Sequence, residues 1–161
     1  MGMTPDQKEL LSAFNAHKVK YLLVGGYAVS LHAEPRATKD MDIFIRSDEE
    51  NSQAVFHALA AFGAPLEAFK PQDFHDGSTF QMGIPPDRID ILQKLDGVDF
   101  DESWESRVEA MIEGTKVPVI SAEKLIQNKV AVGRPQDLAD VAAIQEAQRA
   151  IQVEEGGDGN G

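Results

Sequence analysis

The sequence has 161 residues, a length that suits one domain with its own hydrophobic core and is too short for two full domains. It carries 27 acidic residues against 15 lysine and arginine residues, so it has no overall basic field to hold a nucleic acid or an anionic membrane. The absence of cysteine excludes disulfides, zinc–thiolate sites and thiol catalysis.

Capping and periodic patterns predict the first elements of the chain. Thr4, Pro5 and Gln7 combine an N-cap residue, a proline at the first helical position and a capping-box partner, which predicts a helix over about 4–17. The apolar run 19–24 is rich in strand-forming residues and predicts a strand that ends at a glycine pair. The chain should therefore begin with a helix, a strand and a glycine turn.

A second strand and a second long helix are predicted next. The residues after the glycine pair, 27–33, suit a short helix, and the alternating residues 41–45 predict a strand. Ser47 and Glu50 repeat the capping-box pattern ahead of apolar residues at helical spacing. We therefore expect Ser47 to be the N-cap of the long helix.

The middle of the chain contains a segment rich in proline, glycine and aspartate. Residues 64–78 are predicted to form a flexible or lid-like loop, and strands are predicted within 78–84 and over 87–92. The run 108–120 predicts two further strands that form a hairpin around a Glu-Gly turn at 113–114. The middle of the chain should therefore contribute mainly strands to the sheet.

The C-terminal part is predicted to be helical. Helices over 121–132 and 135–151 precede a tail, 152–161, whose acidic and glycine-rich composition is typical of disorder. We therefore expect one domain over 1–151, of the α+β class. The N-terminus lacks a signal pattern and no apolar run approaches the roughly 20 residues that cross a bilayer, so a soluble cytoplasmic protein without a membrane partner is expected.

Two aspartates stand close together at the second predicted strand. Asp40 and Asp42 are separated by one residue, so their side chains would share a strand face with α-carbons about 6.5 to 7 Å apart. Carboxylates this close repel each other unless a cation lies between them, and Mg²⁺ or Mn²⁺ prefers oxygen ligands. The pair is therefore either a metal site or two solvated aspartates on an exposed face.

A glycine pair lies upstream of the aspartates. Gly25 and Gly26 open a predicted helix, whose first N–H groups and dipole would favour an anion such as phosphate. Ser30 follows Gly26 by one helical turn and would face the same anion. A glycine pair alone is equally typical of a simple turn, but together with the aspartates it indicates a site for a metal-bound polyphosphate.

In this stretch the sequence resembles the nucleotidyltransferases of the polymerase-beta type. The Val-Gly-Gly run 24–26 is followed by 13 residues and then by the Asp-Met-Asp-Ile run 40–43, which matches the signature of that superfamily. The resemblance implies a small mixed β-sheet flanked by helices, with a helical C-terminus. It also implies a third carboxylate on a later strand, next to the first pair.

Asp90 is the candidate for this third carboxylate. It lies between two isoleucines in the strand 87–92, and a carboxylate inside an apolar strand is costly unless it is paired or bound to a metal. Asp87 is the rival residue, but it follows two prolines at the start of the strand, where a turn role is more typical.

A further resemblance covers residues 125–140. They look like the C-terminal motif of a minimal, AbiEii-like toxin branch of the superfamily, in which a helix lysine and a basic turn line the nucleotide site. Gln136 departs from the motif, since a basic residue is common at that position. Solvated charges on ordinary helices are the alternative reading. The positions that match are Lys129, Arg134, Asp137 and Asp140.

Two residues just before the aspartate pair are also candidates for the nucleotide site. Arg36 and Thr38 form an Arg-x-Thr-x-Asp run with Asp40, which resembles the toxin-like branch. They would reach phosphate or ribose. Arg36 is equally compatible with a surface position in a proline-containing loop.

The resemblance implies a metal-dependent transfer of a nucleoside monophosphate from an NTP to an acceptor hydroxyl, with Mg²⁺ or Mn²⁺ held by Asp40, Asp42 and Asp90. A toxin-like enzyme would act on tRNA or a protein, with a homodimer or a cognate antitoxin as partner, and a basic strip near Lys124 would favour it. A small-molecule acceptor, such as an antibiotic, would instead need a deep pocket beside Asp90. The third possibility is a nucleotide-binding regulatory module without turnover.

Overall fold

The computed structural model describes residues 2–34, 40–85 and 87–159. These residues form helices and strands, and a short 3-10 helix covers Pro71–Phe74. The helices are α1 (Pro5–Ala16), α2 (Gly25–His32), α3 (Glu49–Phe62), α4 (Phe100–Glu105), α5 (Ala122–Val132) and α6 (Pro135–Gly159). The strands are β1 (Tyr21–Val24), β2 (Met41–Ile45), β3 (Phe80–Met82), β4 (Ile89–Leu92), β5 (Val108–Ile112) and β6 (Thr115–Val119).

The strands form one mixed sheet with the order β3-β4-β2-β1-β6-β5. β2 pairs in parallel with β4, and β1 pairs in parallel with β6, whereas the remaining neighbours are antiparallel. Helix α1 covers the sheet with Leu10, Leu11 and Phe14, all of which are fully buried. A mixed sheet flanked by helices is the α+β architecture that the sequence predicts.

Strand β2 sets the geometry of the candidate site. It pairs with β1 so that Asp42 lies opposite Val24, and with β4 so that Asp42 lies beside Asp90. Met41 and Ile43 have their side chains on the other face of the strand and are fully buried. The predicted alternation around the aspartates is therefore confirmed.

The helix caps confirm one prediction and correct another. The Thr4 hydroxyl accepts a hydrogen bond from the Gln7 N–H at 3.1 Å, and the capping box predicted for the first helix is present. The N-cap of α3 is Asp48, whose carboxylate accepts from the Asn51 N–H at 2.7 Å. The prediction of Ser47 as this cap is wrong, because the Ser47 hydroxyl donates instead to Gln93 at 3.1 Å.

The hairpin prediction is confirmed, and one helix was not predicted. Glu113 and Gly114 connect β5 to β6 with φ values of 49° and 85°, as a two-residue type I′ turn requires. Helix α4 has only six residues and begins after Asp99, whose side chain accepts from the Glu102 N–H at 3.1 Å. Its capping pattern is visible in the sequence, but the helix is too short for a clear apolar period.

The segment 64–78 is held against the domain rather than forming a free loop. Phe74 is 1% exposed and packs against Phe80, with ring centroids 5.3 Å apart. Gln93 adds polar contacts, since its amide donates to the Asp73 carbonyl at 2.7 Å and accepts from the Gly77 N–H at 2.8 Å. The prediction of a flexible or lid-like loop overlooked this aromatic anchor.

Helix α6 continues beyond the predicted end of the domain. It runs over Pro135–Gly159 and therefore includes most of the segment 152–161 that is predicted to be disordered. Once a helix is nucleated, each further residue adds a hydrogen bond at little extra cost, so composition alone does not fix where it ends. None of the helices in the described ranges is both long and apolar enough to cross a bilayer.

Replacing Phe74 with alanine should destabilise the domain, because it leaves a cavity under the 3-10 helix. We expect Phe74→Ala to lower the free energy of unfolding by about 3 kcal/mol, measured by chemical denaturation. Phe69→Ala is the matched control, since Phe69 is 39% exposed and should lose about 1 kcal/mol or less. Equal losses in the two variants would show that Phe74 does not anchor the segment.

Candidate functional site

Gly25 connects β1 directly to α2 and lies against Asp42. Its φ of +65° is strained for residues with a side chain, and a Cβ at this position would overlap the Asp42 carboxylate. The N-cap of α2 is Val24, whose side chain makes no capping hydrogen bond to the first turn. The glycine thus allows the start of a helix, with its N–H groups, to lie next to a carboxylate.

Three aspartates come together at this end of the sheet. Asp42 and Asp90 are register partners in the parallel pair β2–β4, and Asp40 lies just before β2. Burial, the charge of Asp90, a hydrogen bond with Asp90 and the charge of Asp40 together raise the pKa of Asp42 to about 7. The charge of Arg88 acts in the opposite direction, so a nearby cation favours the ionised form of Asp42.

Arg88 supplies positive charge to this cluster. Its Nε donates to Asp90 Oδ1 at 3.0 Å and its Nη2 to Asp90 Oδ2 at 3.2 Å, and Nη2 also lies 3.2 Å from Asp40 Oδ2. The sequence analysis did not single out Arg88. The available signal is its spacing, since a residue two positions before Asp90 on a strand shares its face.

The donor chemistry of the cluster fits a divalent ion such as Mg²⁺ or Mn²⁺. The candidate ligands are hard carboxylate oxygens, which such ions prefer, and Oδ1 of Asp40 is buried without a hydrogen-bond partner among the described atoms. In the conformation described, no group of three histidine or acidic side chains within 2–34, 40–85 and 87–159 is placed to hold an ion. The guanidinium of Arg88 lies between two of the carboxylates instead.

The second predicted group forms where α5 meets α6. Gly133 ends α5 with a φ of +72°, and Pro135 begins α6. This tight connection brings Lys129, in the last turn of α5, against two acidic residues in the first turns of α6. Its Nζ lies 3.4 Å from Asp137 Oδ1 and 3.0 Å from Asp140 Oδ2.

Arg134 completes this group and is itself paired. Its Nε donates to Asp137 Oδ2 at 2.7 Å, and both Asp137 and Asp140 are buried. The hydrogen bond from Arg134 and the charge of Lys129 hold the pKa of Asp137 below its ordinary value. Buried carboxylates therefore hold both cations, although the side chain of Arg134 is 72% exposed, and Gln136 is exposed as well.

A cleft of about 240 Å³ joins the two groups, although they are far apart in the sequence. Gly25 and Asp42 line it together with Lys129, Arg134 and Asp137. The predicted glycine–aspartate motif and most of the predicted C-terminal motif therefore share one cavity. Its lining also includes Lys94, Asp96 and Asn128, which the sequence analysis missed.

These additional residues follow β4 or lie on α5. Lys94 follows Asp90 by four residues, and residues an even number apart on an extended chain lie on the same face. This spacing could have predicted that Lys94 lies near the site. Asn128 is 7% exposed and donates to the Asp96 carbonyl at 2.9 Å, which ties α5 to the segment after β4. Nothing in the sequence pattern predicts that particular contact.

Seven other predicted site residues do not line the cleft or are not described. Asp40 and Asp90 pair with Arg88, and Asp140 pairs with Lys129, but none of these three lines the cleft. Ser30 is 4% exposed and lies inside the packed part of α2. Gly26 is the second residue of α2 and is half-buried. Arg36 and Thr38 lie outside the described residues, so their predicted contacts with phosphate or ribose stay predictions.

Asp137→Asn should lose stability in a pH-dependent way. The folded pKa of Asp137 is depressed, so its carboxylate stabilises the fold above the unfolded pKa and ceases to do so as the pH falls through the folded value. The gap in unfolding free energy between wild type and variant should be constant from about pH 8 to about pH 5 and narrow below about pH 4.

The control for this pH series is Glu146→Gln, which removes an exposed pair with Arg149. This variant should differ little from wild type at any pH, because exposed ion pairs contribute at most about 1 kcal/mol. Urea denaturation at each pH measures both gaps. A gap for Asp137→Asn that stays constant down to about pH 3 would contradict the ion-pair assignment.

Solved structures with a similar fold include three that cover most of this chain. The lincosamide antibiotic adenylyltransferase LnuA, bound to lincomycin, is 18% identical, with a TM-score of 0.59 over 91% of this chain and 99% of its own. ANT(2'')-Ia in complex with adenylyl-2''-tobramycin is 19% identical, with a TM-score of 0.56 over 91% and 89%. An antigenic nucleotidyltransferase-like protein from Paracoccidioides brasiliensis is 17% identical, with a TM-score of 0.53 over 88% and 77%.

At these identities the likeness to solved structures establishes the fold alone, and no curated protein matches the sequence significantly. The family model described as "Nucleotidyltransferase of unknown function (DUF6036)" matches residues 5–151. This match supports the superfamily resemblance seen in the sequence, while the AbiEii-like branch stays a prediction. The chain therefore belongs to the DUF6036 family of nucleotidyltransferases.

Proposed function

We propose that this protein transfers a nucleoside monophosphate from an NTP to a hydroxyl group of a small-molecule acceptor. The observation that carries the proposal is the shared cleft, which Gly25 at the start of α2 and Asp42 line together with Lys129 and Arg134. This lining offers the backbone N–H groups of a helix start, a carboxylate at Asp42 and two cations held by ion pairs. This combination suits a triphosphate together with a divalent ion.

The chain's own groups would hold the triphosphate. The N–H groups at Gly25 and Gly26 would donate to phosphate oxygens, helped by the positive end of α2. Lys129 and Arg134 would neutralise the remaining charge. Because Asp137 and Asp140 hold Lys129 by ion pairs, little side-chain entropy would be lost when it meets a phosphate.

Asp40, Asp42 and Asp90 would hold Mg²⁺ or Mn²⁺. When bound, the ion would supply charge stabilisation for the attacking and leaving oxygens. The acceptor oxygen would form a new bond to the α-phosphorus while the bond from that phosphorus to the oxygen bridging to the β-phosphate breaks, releasing pyrophosphate. Asp90 would orient the acceptor hydroxyl and receive its proton.

The charges around the cleft favour a neutral or cationic acceptor over a polyanion. The basic strip expected for tRNA is interrupted at Lys124, whose charge is balanced by Glu102 at 3.4 Å. The net charge of −12 also disfavours a nucleic acid. Two proteins of similar fold have structures with lincomycin and with adenylyl-tobramycin, which supports a small hydroxylated acceptor.

Transfer is tested by incubating the protein with α-labelled NTPs, Mn²⁺ and cell extract, followed by separation into small-molecule, protein and RNA fractions. We expect label in the small-molecule fraction, with pyrophosphate released in equal amount. Label in the protein or RNA fraction would support the toxin-like branch instead. Nucleotide binding without pyrophosphate release in any fraction would identify a regulatory module and overturn the proposal.

Removing any one of the three aspartates should abolish transfer. Asp40→Asn, Asp42→Asn and Asp90→Asn should each lower the rate at least about a hundredfold, because each removes a ligand or proton acceptor needed in the transition state. Asp101→Asn is the matched control, since Asp101 is exposed and pairs with Arg46 at the other end of β2. Wild-type rates in the three site variants would refute the assignment.

Gly25→Ala should impair nucleotide binding beyond its effect on stability. Gly114→Ala is the matched control, because Gly114 also has positive φ, at 85°, but has open space around its Cβ position. Gly114→Ala should lose about 1 to 2 kcal/mol of stability from the left-handed backbone, and Gly25→Ala should lose more, because its Cβ would also overlap the Asp42 carboxylate. Calorimetry should show weaker binding of a non-hydrolysable NTP analogue to Gly25→Ala only, and equal affinities in both variants would contradict the role of Gly25.

A further inference from the structure

Strand pairing places Arg88 within the aspartate cluster. Its carbonyl accepts a hydrogen bond from the Met41 N–H at 2.9 Å, which continues the pairing of β2 with β4. Because Arg88 precedes Asp90 by two residues in an extended segment, both side chains lie on the same face. The guanidinium therefore lies among the carboxylates as a consequence of strand register rather than of a chance surface contact.

The guanidinium uses oxygens that a metal ion would need. It holds both carboxylate oxygens of Asp90, at 3.0 and 3.2 Å, and Oδ2 of Asp40 at 3.2 Å. The other oxygen of Asp40, Oδ1, is buried and lacks a hydrogen-bond partner among the described atoms. A divalent ion bound by both aspartates would have to compete with Arg88 for them.

The charge balance favours such an exchange. Three carboxylates outweigh one guanidinium, and an ion with two positive charges is attracted to them more strongly than an ion with one. A guanidinium is not deprotonated in proteins, so the displaced side chain would stay cationic. It would then need another anion nearby, and a nucleotide phosphate is such an anion.

We propose that Arg88 is the cation of the aspartate site when no metal is bound. When a divalent ion binds, Arg88 would release the carboxylate oxygens to that ion and pair with a phosphate of the nucleotide. This inference rests on the proposed function. Arg88 would be a positioning residue that couples metal binding to nucleotide binding. A purely structural ion pair would stabilise the start of β4 but would have no effect on either affinity.

The two roles differ in the affinities of the full-length protein for Mn²⁺ and for nucleotide. Without nucleotide, Arg88→Gln should bind Mn²⁺ about five- to tenfold more tightly than wild type, because the competing cation is gone. With saturating Mn²⁺, the same variant should bind a non-hydrolysable NTP analogue more weakly. Electron paramagnetic resonance of free Mn²⁺ and calorimetry measure the two affinities, and Arg88→Lys should lie between wild type and Arg88→Gln.

Lys94→Gln is the matched control for loss of charge, because Lys94 lines the same cleft. This variant should change the Mn²⁺ affinity by less than about twofold if contact with the aspartates, rather than net charge, is decisive. Thermal unfolding provides a second readout. Arg88→Gln should melt below wild type without metal, and Mn²⁺ should raise its melting temperature more than that of wild type.

The outcomes separate this inference from the function on which it rests. Mn²⁺ binding that is abolished in Asp42→Asn but equal in wild type and Arg88→Gln would overturn the role of Arg88 and leave the metal site standing. An equal gain of Mn²⁺ affinity in Lys94→Gln would also overturn it, since net charge would then explain the effect. Absence of Mn²⁺ binding in wild type and in Arg88→Gln, with and without nucleotide, would overturn both proposals.

Discussion

The parallel pairing of β2 with β4 is the constraint on which the candidate site depends. It places Asp42 directly beside Asp90, with Asp40 just outside the strand, so three negative charges share a small partly buried volume. A slip of one residue in this register would place Asp42 beside an isoleucine and turn the core face of β4 outward. The buried neighbours Met41, Ile43, Ile89 and Ile91 thus stabilise the register that crowds the aspartates.

Two sets of cations lie near these negative charges, and ion pairs with carboxylates hold both sets in position. Arg88 lies within the aspartate cluster, whereas Lys129 and Arg134 line the cleft, held by buried acids at the start of α6. Such pairing keeps a strongly acidic protein able to present positive charge at one defined place. It also explains how a chain with a net charge of −12 would bind a triphosphate without attracting nucleic acid.

Features encoded by neighbouring residues were predictable from the sequence, and features set by distant contacts were not. The capping box of Thr4, the hairpin turn at Glu113 and the burial of Met41 and Ile43 on either side of Asp42 follow from local spacing. The anchoring of Phe74 and the position of Arg88 depend on which strands pair and on how side chains pack between them. The N-cap of α3 also depends on a distant contact. Both Ser47 and Asp48 are residue types that cap helices, but the Ser47 hydroxyl donates to Gln93 and Asp48 is the cap.

The central claim is that the three aspartates and the glycine start of α2 bind a metal-bound NTP at the cleft that Gly25 and Asp42 line. It is tested most directly by diffraction from crystals grown with Mn²⁺ and a non-hydrolysable NTP analogue, using the anomalous signal of manganese to locate the ion. We expect a manganese peak between Asp40, Asp42 and the phosphates. We also expect the phosphates to contact Gly25, and Arg88 to be released from Asp40. A nucleotide bound outside the cleft, or phosphates at Gly25 with the Arg88 pairs intact and no manganese at the aspartates, would contradict it.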